Sequence, residues 1–149
     1  MKIAEIETIP LAIPFTHGGK PAGWGGKAWT SLSILLVKVT TETGLTGYGE
    51  AFSYNCLRPV RAALDDMVAP IIIGQEVDDI GAFLGEVQQK LHLFGRYGIV
   101  MFALSGLDIA LWDIAAKSKN IPLWQLLGER QRDRLPAYAS LYRYGEPEI

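Results

Sequence analysis

The stretch Ala103-Leu104-Ser105-Gly106-Leu107-Asp108-Ile109-Ala110-Leu111-Trp112-Asp113-Ile114-Ala115-Ala116-Lys117 decides the fold. It lies within a longer run, Ile99 to Lys119, where Val100, Phe102, Leu104, Leu107, Ile109, Leu111 and Ile114 leave almost no polar side. A helix apolar nearly all round is buried on most sides, so the flanking sequence has to supply its cover. Two carboxylates interrupt it. Asp108 and Asp113, five residues apart, do not share a helix face, which argues against a paired acid-base or metal site. Asp113 stands four residues before Lys117, the favourable orientation for an intrahelical ion pair, so structural pairing is preferred over metal ligation. Asp108, a carboxylate on an apolar helix, has to find a donor.

Working outward, Asp78 or Asp79 can cap a helix in which Ile80, Phe83, Leu84, Val87 and Leu91 form one apolar stripe. A shorter helix is expected over Pro59 to Val68, with Pro59 at its first position and Pro70 closing it. Another runs from Pro122 to Leu127 and stops at Gly128. Before Pro59 the composition changes to β-branched residues, aromatics and glycines. Strands are expected over Lys2 to Ile13, with Pro10 and Pro14 suggesting an edge position or a bulge, over Thr30 to Thr41, and over Leu45 to Phe52. Thr41-Glu42-Thr43-Gly44 joins the last two as an antiparallel hairpin. The fold class is therefore α+β: a three-stranded antiparallel meander followed by a helical bundle.

Between the first two strands, Phe15 to Trp29 holds five glycines, Trp24 and Trp29, no Asp or Glu, and the basic candidates His17, Lys20 and Lys27. It reads either as a loop with a ligand to touch or as a glycine-rich linker whose tryptophans dock on the protein's own surface. Gly47-Tyr48-Gly49-Glu50 is only a fragment of a dinucleotide fingerprint; glycines that let a strand approach its neighbour closely are the better reading. His92 is expected at the surface. Neither histidine has a partner at metal spacing, and Ser53, Cys56 and Ser140 have no histidine at a nucleophile's spacing. Arg130, Arg132 and Arg134 read as a solvated turn. Leu135 to Tyr142 reads as a further strand with no obvious partner.

The 149 residues allow one domain, and 49% apolar with 20% charged residues excludes disorder. A single cysteine excludes a disulfide scaffold and a thiolate zinc site. A formal net charge of −2 gives no basic footprint for nucleic acid. Uninterrupted apolar runs such as Ile34 to Val37 and Ile71 to Ile73 fall far short of the ~20 residues of a spanning helix, so no membrane contact and a soluble, cytoplasmic protein are expected.

The opening stretch, followed by Pro122 and Leu126-Leu127-Gly128, resembles the enolase superfamily, in its mandelate racemase and muconate lactonizing enzyme branch. The hairpin ending in Gly47 to Glu50 agrees with it; Ala116 stands where many relatives carry glycine. The resemblance implies an enolase N-terminal-like capping domain over residues 1–128, then a linker and the first strand of a TIM-type (β/α) barrel over 129–149. Such barrels take about 250 residues and carry the base and the carboxylates that hold Mg2+, so no catalytic or metal residue is expected in this chain. Two capping loops, matching Phe15 to Trp29 and Phe52 to Asn55, would close over the barrel mouth, with His17, Lys20, Trp24, Phe52, Tyr54, Tyr142 and Arg143 as substrate-binding candidates. The implied reaction is abstraction of the proton α to a carboxylate, as in racemases, acid-sugar dehydratases and cycloisomerases. The implied partners are a small carboxylate substrate, the barrel of the same enzyme and further copies in a homo-oligomer; the isolated chain would be inactive. The alternative is a non-catalytic domain that binds a small ligand or a partner.

Overall fold

Along Ser31–Thr41 the residues Leu35, Val37 and Val39 are fully buried, while those between them are only half-buried. That alternation is a strand with one face on the core. In the computed structural model, which describes residues 1–16 and 29–138, this strand (β2) lies between β1 (Ile3–Pro14) and β3 (Thr46–Ala51) in one antiparallel sheet of order β1-β2-β3. The expected meander is present. β1 is an edge strand, so the edge reading of its prolines holds; the bulge reading does not, because the register shifts between Ile3 and Glu5 while Pro10 and Pro14 pair regularly with Leu35 and Ser31. The β2–β3 turn closes through Gly44 N–H donating to the Thr41 carbonyl at 2.9 Å, and Thr41 Oγ1 accepts from Leu45 N–H at 3.1 Å. Gly44 has φ +84°, where glycine costs least.

The helices cover one face of the sheet. They are α1 (Leu57–Ala62), a π-helical turn (Ala63–Val68), α2 (Ala69–Ile72), α3 (Ile80–Lys90), α4 (Ile99–Ser118) and α5 (Leu123–Leu127). Asp79 caps α3, its Oδ1 accepting from Ala82 N–H at 2.7 Å, and Ile80, Leu84, Val87 and Leu91 are buried as the stripe requires. The helix expected over Pro59 to Val68 needs two corrections. Pro59 is the third residue of α1, still within the first turn, where an N–H has no intrahelical acceptor. Pro70 does not end the helical stretch, which continues to Ile72. A proline ring collides with the carbonyl four residues back in a regular helix, and the preceding π turn replaces that register.

α4 buries Val100, Ala103, Leu104, Gly106, Leu107, Ala110, Leu111, Ile114 and Ala116; Ile109, read as part of the apolar surround, is 45% exposed. By length and composition α4 is also a helix able to cross a membrane, although half of it is buried within the fold. Ser105, Asp108 and Asp113 interrupt its apolar run while leaving the helix as a whole apolar, which is why the expectation of no spanning-length segment missed it.

Glycine decides how α4 meets β3. A Cβ on Gly47 would strike the Ala110 carbonyl oxygen, one on Gly49 the Gly106 carbonyl oxygen, and one on Gly106 would lie 2.7 Å from Val37 Cγ2 and 2.8 Å from Ala51 Cβ. The close-approach reading of Gly47 and Gly49 is correct, with the helix as the neighbour. The expected Asp113–Lys117 ion pair is present at 2.6 Å. Asp113 Oδ2 also accepts from Tyr48 N–H at 2.9 Å, and Lys117 Nζ donates to the Thr46 carbonyl at 3.1 Å. Two side chains of α4 thus occupy backbone groups on the outer edge of β3. Half-buried Asp108 meets no donor among the described residues.

The strand expected over Leu135 to Tyr142 is not formed in its described part. Leu135 and Tyr138 are 74% and 88% exposed, and no regular structure covers Leu135 to Tyr138. A strand needs a neighbour for its backbone groups, and no described strand lies beside it. The rest of that stretch lies outside the described residues.

Candidate functional site

Both candidate loops leave the sheet at the same end. β1 and β2 stay paired up to Pro14↔Ser31, and Phe15 N–H then donates to the Thr30 carbonyl at 3.0 Å, pinning the two ends of the first loop together. β3 ends at Ala51, opposite Leu35 of β2, and delivers Phe52 to Asn55 beside that stem. Ser53 fixes the second loop: it is buried, its Oγ donates to the Ser33 carbonyl at 3.2 Å, and its own carbonyl accepts from Cys56 N–H at 3.1 Å. Asn55 takes φ 55°, a left-handed turn conformation that Asn tolerates.

Aromatic rings join these pieces. Trp29 meets Phe15 edge-on at 5.4 Å between centroids and Tyr54 edge-on at 5.3 Å. Phe52 lies 4.7 Å from Phe102 of α4 at an interplanar angle of 57°. These are separations at which aromatic pairs attract beyond simple burial. Phe52 and Tyr54 remain 50% and 37% exposed, so the cluster offers apolar surface with one phenol at its rim. Cys56, half-buried at the start of α1, has its thiol pushed above the ordinary value by burial, which leaves it protonated rather than nucleophilic near neutral pH.

Of the sequence-derived candidates, the structure places Phe52 and Tyr54 on one loop. His17, Lys20 and Trp24, with Tyr142 and Arg143, lie outside the described residues. Three contributors were not among the candidates. Phe15 and Trp29 flank the glycine-rich stretch, and aromatics at loop ends were the available signal. Phe102 gave none, because every ring in an apolar helix reads as core. His92 is exposed and donates from Nδ1 to the Gln89 carbonyl at 2.7 Å; with Gln88, Arg96, Val100 and Met101 it lines a cavity of about 410 Å³ between α3 and α4 that contains no candidate residue. Arg130 pairs with Asp133 at 3.3 Å in an exposed turn, as expected.

Among the described residues no group of three His, Cys, Asp or Glu side chains is placed to hold a metal ion. The Mg2+ that the resemblance implies therefore has no fitting ligand set among them.

Residues 20–128 match the family described as mandelate racemase / muconate lactonizing enzyme, N-terminal domain. The arabinonate dehydratase of Saccharolobus solfataricus is 33% identical over 122 residues, covering 81% of this chain and 32% of that protein. The D-galactonate dehydratase of Klebsiella pneumoniae is 36% identical over 108 residues, 70% of this chain and 27% of that protein. A solved enolase-superfamily member from Polaromonas sp. JS666 superposes with TM-score 0.83 at 32% identity, over 99% of this chain and 38% of its own. A mandelate racemase/muconate lactonizing protein from Paracoccus denitrificans, solved in complex with magnesium, gives TM-score 0.70 at 31% identity, over 91% and 32%. The chain thus spans between a quarter and a third of the length of the curated relatives it matches. With the glycine contact of β3 on α4 and the two loops at one end of the sheet, these matches establish that the chain belongs to the mandelate racemase / muconate lactonizing enzyme family and carries its N-terminal domain.

Proposed function

We propose that this chain is the capping, substrate-specificity part of a Mg2+-dependent enzyme that removes the proton α to a carboxylate, and that its reaction class is acid-sugar dehydration. One observation carries the reading: the exits of both loops meet through Trp29 and Tyr54 at a single end of the sheet, which suits two loops closing together over one substrate. The dehydratase class rests on the arabinonate and D-galactonate dehydratases among the similar proteins. Residues 1–128 are assigned to the cap, and 129–149 to a linker and the first barrel strand. In the closed enzyme Phe52 and Tyr54 supply apolar wall and one hydroxyl. His17, Lys20 and Trp24 face the substrate from the first loop, where the absence of acids and the cation of Lys20 suit a carboxylate, and Tyr142 and Arg143 face it from the barrel, at the strand end where such barrels build their sites. Closure excludes water from the reacting carbon. The metal ligands and the base belong to the barrel, so the isolated cap is inactive. A soluble, cytoplasmic homo-oligomer completes the proposal.

The test is Mg2+-dependent turnover of a panel of acid sugars by the full-length protein, read as 2-keto-3-deoxy acid formed. Turnover of at least one member, abolished by chelation, is the expected result. No turnover across the panel, with a native polypeptide no longer than these 149 residues and no separate barrel, would overturn the enzyme reading.

A further inference from the structure

α4 runs antiparallel to β3, and its contacts fall in sequence along the strand. Lys117 reaches Thr46, Asp113 reaches Tyr48, Gly106 meets Gly49, and Phe102 meets Phe52 one residue beyond the strand's end. The first three contacts hold backbone. The last one holds a side chain of the second loop, at the point where sheet pairing has stopped. On its other side that loop reaches the first loop through Tyr54 and Trp29. The backbone of the second loop is held at Ser53 by β2, while its two flanking rings are held apart from it, Phe52 by the helix and Tyr54 by the other loop.

We propose that Phe102 is a positioning residue: its ring, anchored in the first turn of α4, fixes Phe52 and so sets where the second loop stands against the substrate. It touches no substrate itself. Three features support the assignment. Phe102 is half-buried, with its own backbone held by N–H donation to the Gly98 carbonyl at 2.9 Å. Ser105 Oγ donates to the Phe102 carbonyl at 2.8 Å, closing the turn that carries the ring. Phe52 is 50% exposed, and its ring contact is the one with Phe102. The position of β3 is fixed independently by Gly49, Asp113 and Lys117, so loss of the Phe102 ring loosens the loop without moving the strand. The proposal rests on the capping reading only for its effect on substrate.

The experiment compares Phe102→Leu, Phe102→Ala and Phe102→Tyr in the full-length protein by two readouts. Hydrogen exchange of the segment 52–56 is expected to quicken in Phe102→Leu and Phe102→Ala, to return to the parent rate in Phe102→Tyr, and to leave the segment 46–50 unchanged. KM for the turned-over acid sugar is expected to rise about threefold to tenfold in Phe102→Leu, the size of a lost aromatic pair, with kcat within about twofold and recovery in Phe102→Tyr. Unchanged exchange at 52–56 in Phe102→Leu would refute the positioning role whether or not the protein is an enzyme. Faster exchange with unchanged KM would refute its link to substrate. Equal loosening of 46–50 would make Phe102 a general packing residue and overturn the proposal. Absence of turnover by the parent protein defeats the capping reading instead, and the exchange readout then decides the proposal alone.

Discussion

The two faces of the sheet are built by opposite means. Where β3 meets α4, three glycines remove side chains so that backbones touch, and the ion pair of α4 takes up the strand's outer edge. Where β1 and β2 run past the end of β3, the face turned away from the helices carries Leu11 and Ile13 opposite Ile34 and Leu32, with Leu11, Ile13 and Leu32 37%, 45% and 40% exposed. The first region gains its order from small residues packed tightly. The second carries large aliphatic residues that no described element covers. Apolar content alone is thus a poor guide to where this domain is rigid, and the comparison can be broken by substitution.

The largest expected effect is at the tight side. Gly49→Ala drives a Cβ into the Gly106 carbonyl, with Ala110 N only 2.8 Å away, and backbone cannot yield as a side chain tip does. The cost should reach or exceed the upper end of usual overpacking penalties, about 3 kcal/mol, read as a fall in the urea midpoint. A cost below about 1 kcal/mol would mean that α4 and β3 are not in backbone contact.

Leu107→Ala set against Ile13→Ala tests the contrast directly. Leu107 is fully buried on α4, so its truncation should cost about 3 kcal/mol through lost transfer energy and the cavity left behind. Ile13, nearly half exposed, should cost under about 1 kcal/mol in the same assay. Similar losses at both would show that the outer face is covered in the folded protein.

A smaller effect is expected at the edge clamp. Asp113→Ala leaves Tyr48 N–H without its acceptor and Lys117 without its ion-pair partner, though still donating to the Thr46 carbonyl. Both side chains retain substantial solvent exposure, 31% and 45%, so screening limits the ion-pair share, and the whole loss should be about 1–2 kcal/mol. Asp113→Asn, which keeps an acceptor, should recover most of it. If Asn is no better than Ala, charge rather than the Tyr48 hydrogen bond is what holds the edge.

These cases also show what local sequence can encode. α4 was legible because its apolar residues surround the axis, and the hairpin because Gly44 falls where a turn needs it. The Asp113–Lys117 pair was legible for the same reason, a spacing of four. Its second function was not, since Tyr48 and Asp113 are 65 residues apart and no local pattern joins them. Pro70 misled because the proline rule assumes a regular helix, and the π turn is a tertiary adjustment. At the candidate site, Phe52 and Tyr54 followed from the resemblance, whereas Phe102 was invisible among the other apolar residues of its helix. Gly106 belongs with Phe102: its need for close approach depends on Val37 and Ala51, which arrive from far along the chain.

The smallest effect concerns Cys56, a probe of how firmly the second loop is seated. A cysteine at a helix start ordinarily has its thiolate favoured by the helix dipole, yet burial raises this thiol. The direction of that shift, upward through burial, fixes the sign of the pH response. At a given pH less thiolate is present than in a free cysteine, so iodoacetamide should react more slowly and its rate profile should lie at higher pH. Stability should also fall as pH rises above the ordinary thiol range, because the folded state holds the proton that the unfolded chain has released. Cys56 closes the turn begun at Ser53, so loosening the loop with Phe102→Leu should admit water and bring the alkylation profile toward that of free cysteine. A profile that stays in place while segment 52–56 exchanges faster would mean that the thiol is desolvated by the helical layer itself, and that the tight side of the domain extends through Cys56 but stops short of Phe52.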